Sequence, residues 1–120
     1  MIDFACKRLD VREVIKCSLG LTRADLRVLE CQTASRVWRT TGEIAALAAL
    51  DQSTVQRSVK RLLEKGALER RQQNLDGGGY EYSYRIGDRG ELRARIIATI
   101  NDWTGRVEGE LDRWCDSARR

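Results

Sequence analysis

Thr40-Thr41-Gly42-Glu43-Ile44-Ala45-Ala46-Leu47-Ala48-Ala49-Leu50-Asp51-Gln52-Ser53-Thr54-Val55-Gln56-Arg57-Ser58-Val59-Lys60-Arg61-Leu62-Leu63-Glu64-Lys65-Gly66 is the stretch on which the fold turns. Thr40-x-x-Glu43 is a capping box, and the small and branched residues Ile44, Ala45, Leu47, Ala48 and Leu50 that follow predict a short helix. Asp51 is placed to cap a second helix over 52–65, which Gly66 ends. Val55, Val59, Leu62 and Leu63 follow the i, i+4, i+7, i+8 rule and form one apolar stripe. Gln52, Ser53, Gln56, Arg57, Lys60 and Arg61 fill the opposite face. Two helices joined by so few residues make a helix-turn-helix.

Toward the N-terminus, Asp10-x-x-Glu13 opens a helix containing Val14, Ile15 and Leu19, and Gly20 stands where a C-cap glycine belongs. Thr22-x-x-Asp25 opens the next, with Leu26, Leu29 and Val28 facing inward and Leu21 placed as a hydrophobic staple. Residues 35–40 read as a turn and a very short strand around Val37 and Trp38. Beyond Gly66 the period changes. Residues 67–72 are a candidate strand, 80–86 alternate at period two, and Asn74-Leu75-Asp76-Gly77-Gly78-Gly79 marks the loop between them. Two such strands are marginal alone and must pack on the helices. From about Asp88 the chain is helical nearly to its end. Leu92, Ile96, Ile100, Trp103, Val107, Leu111 and Trp114 form a stripe in which Leu92, Trp103 and Trp114 are 11 residues apart. That is about 3.67 residues per turn, close to a straight helix. The whole reads as an α+β winged helix-turn-helix: a DNA-binding domain over 1–87 and a long C-terminal dimerisation helix over 88–120.

The composition narrows the chemistry. The 120 residues allow one domain, and 42% hydrophobic content supplies a modest core. No histidine is present, which excludes Ser-His-Asp and Cys-His nucleophiles and every histidine-containing metal site. There is no phosphate-binding loop or dinucleotide fingerprint, and the carboxylates are scattered through caps and solvent faces, so the chain is read as a non-enzyme without a cofactor or a metal. No apolar run approaches the roughly 20 residues of a membrane span. The first residues contain no secretory apolar core, so a cytoplasmic protein with reduced thiols is expected. The net charge is +4, with Arg carrying most of the basic count; the planar guanidinium suits phosphates and base edges. Residues 51–89 hold eight basic and six acidic side chains, a local excess of +2.

Leu21-Thr22-Arg23-Ala24-Asp25-Leu26-Arg27-Val28-Leu29 and the run from Leu50 to Arg70 resemble archaeal winged-helix regulators of the TrmB and MarR-like type. The likeness covers about residues 20–86, and its specific part is the S-T-V-x-R-x-V-x-x-L-x-x-K-G block from Ser53 to Gly66. Sugar-sensing members of that group carry a large effector domain, whereas this chain has one helix there, so no sugar site is transferred. The resemblance implies that helix 52–65 enters the major groove and that the wing, 72–80, reaches the adjacent minor groove or backbone. Gln52, Ser53, Gln56 and Arg57 are assigned to bases; Thr54, Lys60 and Arg61 to phosphates or support; and Arg39, Arg70, Arg71 and Arg85 to the backbone. Leu92, Ile96, Ile100, Trp103, Val107, Leu111 and Trp114 are assigned to a two-fold dimer interface, because a stripe six turns long exceeds what a domain of under 90 residues buries. The expected partners are double-stranded DNA, a second copy of the chain and the basal transcription machinery.

Other readings stand beside this one. Gly87-Asp88-Arg89-Gly90 matches a GXXG RNA-binding loop but follows a strand instead of joining two helices. Tyr80, Tyr82 and Tyr84 share a strand face that either stacks bases or covers the helices. A winged module that recruits proteins is a third reading. Cys17 and Cys31, on consecutive helices, are the candidate redox pair; alternatively they are small core residues, and the four cysteines together have the number for a tetrahedral metal site.

Overall fold

The structure, a computed structural model, describes residues 1–33 and 36–118. Its elements are β1 (Ile2–Phe4), β2 (Lys7–Leu9), α1 (Val11–Leu19), α2 (Arg23–Thr33), α3 (Thr41–Ala48), α4 (Gln52–Glu64), β3 (Leu68–Asn74), β4 (Tyr80–Ile86) and α5 (Arg89–Ala118). The caps explain why the helices begin where they do. Asp10 accepts from the Arg12 N–H. Thr22 and Asp25 satisfy each other reciprocally at 3.1 Å. Thr40 and Glu43 form the complete capping box of α3, Asp51 accepts from the Thr54 N–H, and Asp88 accepts from the Glu91 N–H at 2.8 Å. At the other ends, Gly20 and Gly66 adopt φ of +65° and +73°. Ala49, at φ +54°, performs the same C-cap turn for α3 without glycine's freedom, which tightens the link into α4.

The core lies between the helices and the wing. Leu19, Leu21, Val28, Leu29, Ile44, Val55, Val59, Leu62, Leu68 and Ile86 are buried in one cluster, and α2 and α3 both pack on α4. Leu21 is buried, as its staple role requires. The strands β3 and β4 pair antiparallel from Leu68↔Ile86 to Asn74↔Tyr80, so the wing has one face carrying Leu68, Arg70 and the tyrosines and another carrying Glu69, Arg71, Ser83 and Arg85. Arg39 adds an isolated bridge to Tyr84, the short strand expected near Trp38; Ser35, where the preceding turn was read, lies outside the described residues. A Cβ on Gly87 would lie 2.8 Å from the Gly66 carbonyl oxygen, so the chain's exit from the wing requires glycine there.

One element went unread in the sequence, and three sequence expectations are corrected. The N-terminal nine residues give no helix signal and instead form the β1–β2 hairpin, with Ile2 opposite Leu9. β3 extends to Asn74, two residues beyond the expected end, because Gln72, Gln73 and Asn74 continue the ladder despite their polarity. Recognition helix 52–65 ends at Glu64, with Lys65 as its C-cap. Cys17 is exposed and Cys31 only half-buried, so neither is a core residue; all four cysteines are free thiols. Among the described residues, no three His, Cys, Asp or Glu side chains are grouped to hold a metal. Among the described residues, no helix is long and apolar enough to cross a membrane.

Candidate nucleic-acid interface

The polar face of α4 is a consequence of how its other face is spent. Val55, Ser58, Val59 and Leu62 are buried, which turns Gln52, Ser53, Gln56, Arg57 and Lys60 to solvent on the far side. The N-terminal turn is held rigidly. Asp51 accepts from the Thr54 backbone N–H at 3.1 Å, from the Thr54 hydroxyl at 2.6 Å and from the Ser53 hydroxyl. Those hydroxyl and amide donors, Ser53 first, hold the Asp51 carboxyl well below the usual carboxylate range. Gln52 Nε2 donates to Thr41 Oγ1 at 3.3 Å, tying the start of α4 to the start of α3. Arg57 Nη2 donates to Thr54 Oγ1 at 3.4 Å, a long bond that leaves the guanidinium exposed.

Arg61, assigned from sequence to phosphate or support, faces inward. Its Nε and Nη2 form a fork onto the fully buried Asp25, at 2.8 to 3.1 Å. Burial pushes the Asp25 carboxyl up, but the Arg61 fork and the Thr22 backbone N–H outweigh it and the net displacement is downward. Arg61 is correspondingly raised by the Asp25 hydrogen bond. The bond pins α4 to α2 across the core. Asp25 was read only as a capping residue. Its position inside the apolar run Leu21, Leu26, Val28, Leu29 was the signal that its carboxylate is buried and requires a cation.

The remaining arginines are held by the wing. Arg39 Nη1 donates to Gln32 Oε1 at 2.9 Å and to the Cys31 carbonyl at 3.3 Å, while Gln32 Nε2 donates to the Tyr84 carbonyl at 2.8 Å. Arg71 and Arg85 lie over the Trp38 ring, 4.7 and 4.4 Å from its centroid, and Arg85 also pairs with Glu69 at 2.8 Å. Arg70 lies over Tyr82 at 4.3 Å, and Tyr80 meets Tyr82 edge-on. The three tyrosines are graded along the strand: Tyr84 is buried, Tyr82 half-buried and Tyr80 exposed. Burial pushes the Tyr84 phenol up.

The structure therefore brings Gln52 and Gln56 together with Thr40, Thr41, Glu81 and Tyr82 in one polar groove between α3, α4 and β4. Arg39, Arg61 and Arg85 are not in it; each is engaged with a protein partner. Thr41 and Tyr82 were not picked out from the sequence as groove residues, since only the fold brings the start of α3 beside the second wing strand.

A buried helix-turn-helix backed by α2, with a two-stranded wing and a long terminal helix, defines the winged helix-turn-helix class. The chain belongs to the DnaD N-terminal domain family, whose model matches residues 11–107. It is 35% identical over 111 residues to an uncharacterized protein of Methanocaldococcus jannaschii, covering 90% of this chain and 81% of that protein. It is similar to the solved structure of a possible transcriptional regulator from Methanosarcina mazei, with 48% identity, a TM-score of 0.86, and 95% and 96% of the two chains covered. A MarR family transcriptional regulator from Silicibacter pomeroyi matches at 25% identity and a TM-score of 0.51, over 78% of this chain and 61% of that one. The resemblance to archaeal and MarR-like winged-helix regulators read from residues 20–86 agrees with these matches, one to a possible transcriptional regulator and one to a MarR family transcriptional regulator.

Proposed function

We propose that the chain is a homodimeric transcription regulator that binds double-stranded DNA in a sequence-specific way. The observation that carries this reading is the division of α4: one face is consumed by the core, and Gln52, Gln56, Arg57 and Lys60 are left exposed on a helix anchored at both its cap and its Asp25–Arg61 tether. Gln and Arg are the side chains suited to adenine and guanine edges in the major groove. Lys60, with Arg70 and Arg71 on the wing, supplies phosphate contacts, and residues 72–80 reach the adjacent minor groove or backbone. Ser53 and Thr54 act through Asp51 to fix the first turn, and Arg61 holds the helix at its working angle. Residues 1–87 form the DNA-binding unit and 88–120 the dimerisation helix, and a promoter-bound dimer stands where the basal transcription machinery assembles.

The dimer reading rests on α5. No residue of this 30-residue helix is buried, and Trp103, Leu111 and Trp114 are all more than half exposed. Antiparallel pairing of two copies matches its charges. Residues 89–100 carry three Arg and one Glu, a net +2, whereas residues 101–118 carry five acids and two Arg, a net −3. With the two-fold axis at Trp103, the 11-residue spacing sets Leu92 against the partner's Trp114. Such a dimer presents two recognition helices to half-sites about one helical turn apart.

The test is a selection of bound duplexes from random DNA, followed by binding of Arg57→Ala to the selected site. A palindromic site is expected, with Arg57→Ala losing about tenfold or more in affinity and relaxing discrimination at one base pair of each half-site. Failure to enrich any duplex, or an Arg57→Ala protein that binds unchanged, refutes direct readout by α4.

A further inference from the structure

The outer face of the wing gathers more positive charge than it neutralises, and it does so around one ring. The Arg39–Tyr84 bridge, closed by hydrogen bonds of 2.9 and 2.8 Å, brings the chain at Trp38 alongside β4. In that register Trp38 falls opposite Arg85, so its ring shares a side with Glu69, Arg71, Ser83 and Arg85. Ser83 is small and buried, which leaves the ring room to reach across β4 to Arg71 on β3. The guanidinium carbons of Arg85 and Arg71 lie 4.4 and 4.7 Å from the ring centroid, within the range of cation–π attraction. The two arginines are not equivalent. Arg85 donates to Glu69 at 2.8 Å, and Arg36 reaches the same carboxylate at 3.7 Å. Arg71 is exposed and, among the described residues, has no carboxylate partner. Three guanidinium groups thus share one carboxylate, a local net of +2.

We propose that Trp38 is a positioning residue for DNA binding: it holds the Arg71 guanidinium on the outer face of the wing, where that group takes a phosphodiester oxygen of the duplex backbone. The inference rests on the reading of the chain as a duplex-binding protein and adds a residue which that reading does not use. Two guanidinium groups on one ring repel each other, and the repulsion is relieved when each meets an anion. Glu69 serves Arg85, and Arg71 takes its anion from outside the chain. A guanidinium laid on a ring keeps its N–H donors at the edge, free for phosphate oxygens, and the long side chain loses less freedom on binding. The location favours phosphodiesters over an acidic protein. Arg70 and Arg71 are consecutive in β3 and so point to opposite faces. Arg70 lies over Tyr82 at 4.3 Å, and Tyr82 lines the groove that holds Gln52 and Gln56. The wing therefore carries one aromatic-held arginine on the groove side and one on the far side, as suits a ribbon lying along a backbone with phosphates to both sides.

The test measures the affinity of the full chain for a short non-specific duplex over a range of salt concentrations, so that the result does not depend on base readout by α4. Arg71→Gln, at an exposed site, is expected to weaken binding about fivefold at low salt and to lower the slope of log K against log salt by about one. Trp38→Leu is expected to weaken binding by the same factor in the unaltered chain and to have no effect in the Arg71→Gln background. Trp38→Phe, which keeps an aromatic face, is expected to retain most of the affinity. An Arg71→Gln protein with unchanged affinity and salt slope overturns the proposal and leaves duplex binding by α4 standing. A loss from Trp38→Leu that is equal in both backgrounds, or a loss as large from Trp38→Phe, makes Trp38 a structural brace and overturns it likewise. A polyglutamate chain that binds as tightly as the duplex and loses as much to Arg71→Gln overturns the assignment to phosphodiesters in favour of an acidic protein. No binding to any duplex, non-specific or selected, overturns the proposal together with the reading on which it rests.

Discussion

α4 and α5 are built from the same kinds of residue and do opposite things. α4 has 13 residues, and four of them, Val55, Ser58, Val59 and Leu62, are buried; α5 has 30 residues and none is buried. Each carries an apolar stripe at helical spacing. The stripe of α4 is fully matched inside the chain by α2, α3 and the wing, so its exposed face is polar and free to meet another kind of surface. The stripe of α5 is matched only in its first turns, so what it exposes is apolar. A helix whose hydrophobic side is consumed presents chemistry; one whose hydrophobic side is left over presents an interface.

Truncating the two stripes separates these cases most widely. Leu62→Ala, at a site with no solvent exposure, is expected to cost about 3 kcal/mol in unfolding free energy at every protein concentration. Leu111→Asp is expected to leave the fold of one chain intact and to remove the concentration dependence of the unfolding midpoint. Denaturant titrations at two concentrations a hundredfold apart check both. Equal behaviour of the two variants would mean that α5 is covered within its own chain, and the contrast between the helices would dissolve.

The tether behind α4 gives the next effect in size. Asp25→Asn leaves Arg61 facing a neutral amide, with an expected loss of about 2 kcal/mol, below the range for fully buried pairs because Arg61 keeps 39% of its side chain in solvent. The pH dependence has a definite sign. The folded Asp25 carboxyl lies below its unfolded value, so its stabilisation is fully present above the ordinary carboxylate range and is lost as pH falls through the folded value. Unfolding of the unaltered protein between pH 7 and pH 3 should therefore steepen at the acid end, and Asp25→Asn should flatten that limb. Among the described residues, α5 makes no comparable ion pair with a buried carboxylate. Its Arg113–Glu110 pair is on the surface and within the helix, so Glu110→Gln should leave stability and acid sensitivity unchanged.

What the sequence disclosed follows the same division. Four of the five helix caps were legible because Asp10, Thr22, Thr40 and Asp51 each satisfy backbone donors a few residues away, a local event written in local spacing; the Asp88 cap of α5 was not read. The wing was legible from the alternation of Tyr80 to Ile86 and the glycine run before it. The β1–β2 hairpin was not. Its strands are three residues long, its turn uses Ala5 at φ +45° in place of glycine, and an alternation that short has no statistical weight. On the candidate site, the outward residues of α4 were readable from periodicity alone. That Arg61 turns to Asp25, Arg39 to Gln32 and Arg85 to Glu69 was not, since each partner lies on another element, from 7 to 36 residues away. Charge counts treat all arginines alike, and only tertiary contact divides those that brace the protein from those left exposed to solvent.

The smallest expected effect concerns the two N-caps, and it sharpens the comparison where the helices are most alike. Asp51 and Asp88 each cap a helix, but Asp51 accepts from the Thr54 amide and from two hydroxyls, whereas Asp88 accepts from the Glu91 amide at 2.8 Å. Asparagine caps nearly as well as aspartate, so either Asp→Asn change should move the melting midpoint little. Their effects on DNA should differ. Asp51 keeps a full negative charge at the tip of the proposed recognition helix, where phosphates approach, and its charge persists to low pH because the Ser53 and Thr54 donors favour the ionised form. Asp51→Asn removes that repulsion and should strengthen binding to non-specific duplex a few-fold at low salt, with the gain disappearing as salt rises. Asp88→Asn, at the start of α5, should change DNA binding at neither salt. Fluorescence anisotropy at two ionic strengths separates the caps: equal gains from both would place α5, not α4, at the nucleic acid, and no gain from Asp51→Asn would place the tip of α4 away from the phosphates.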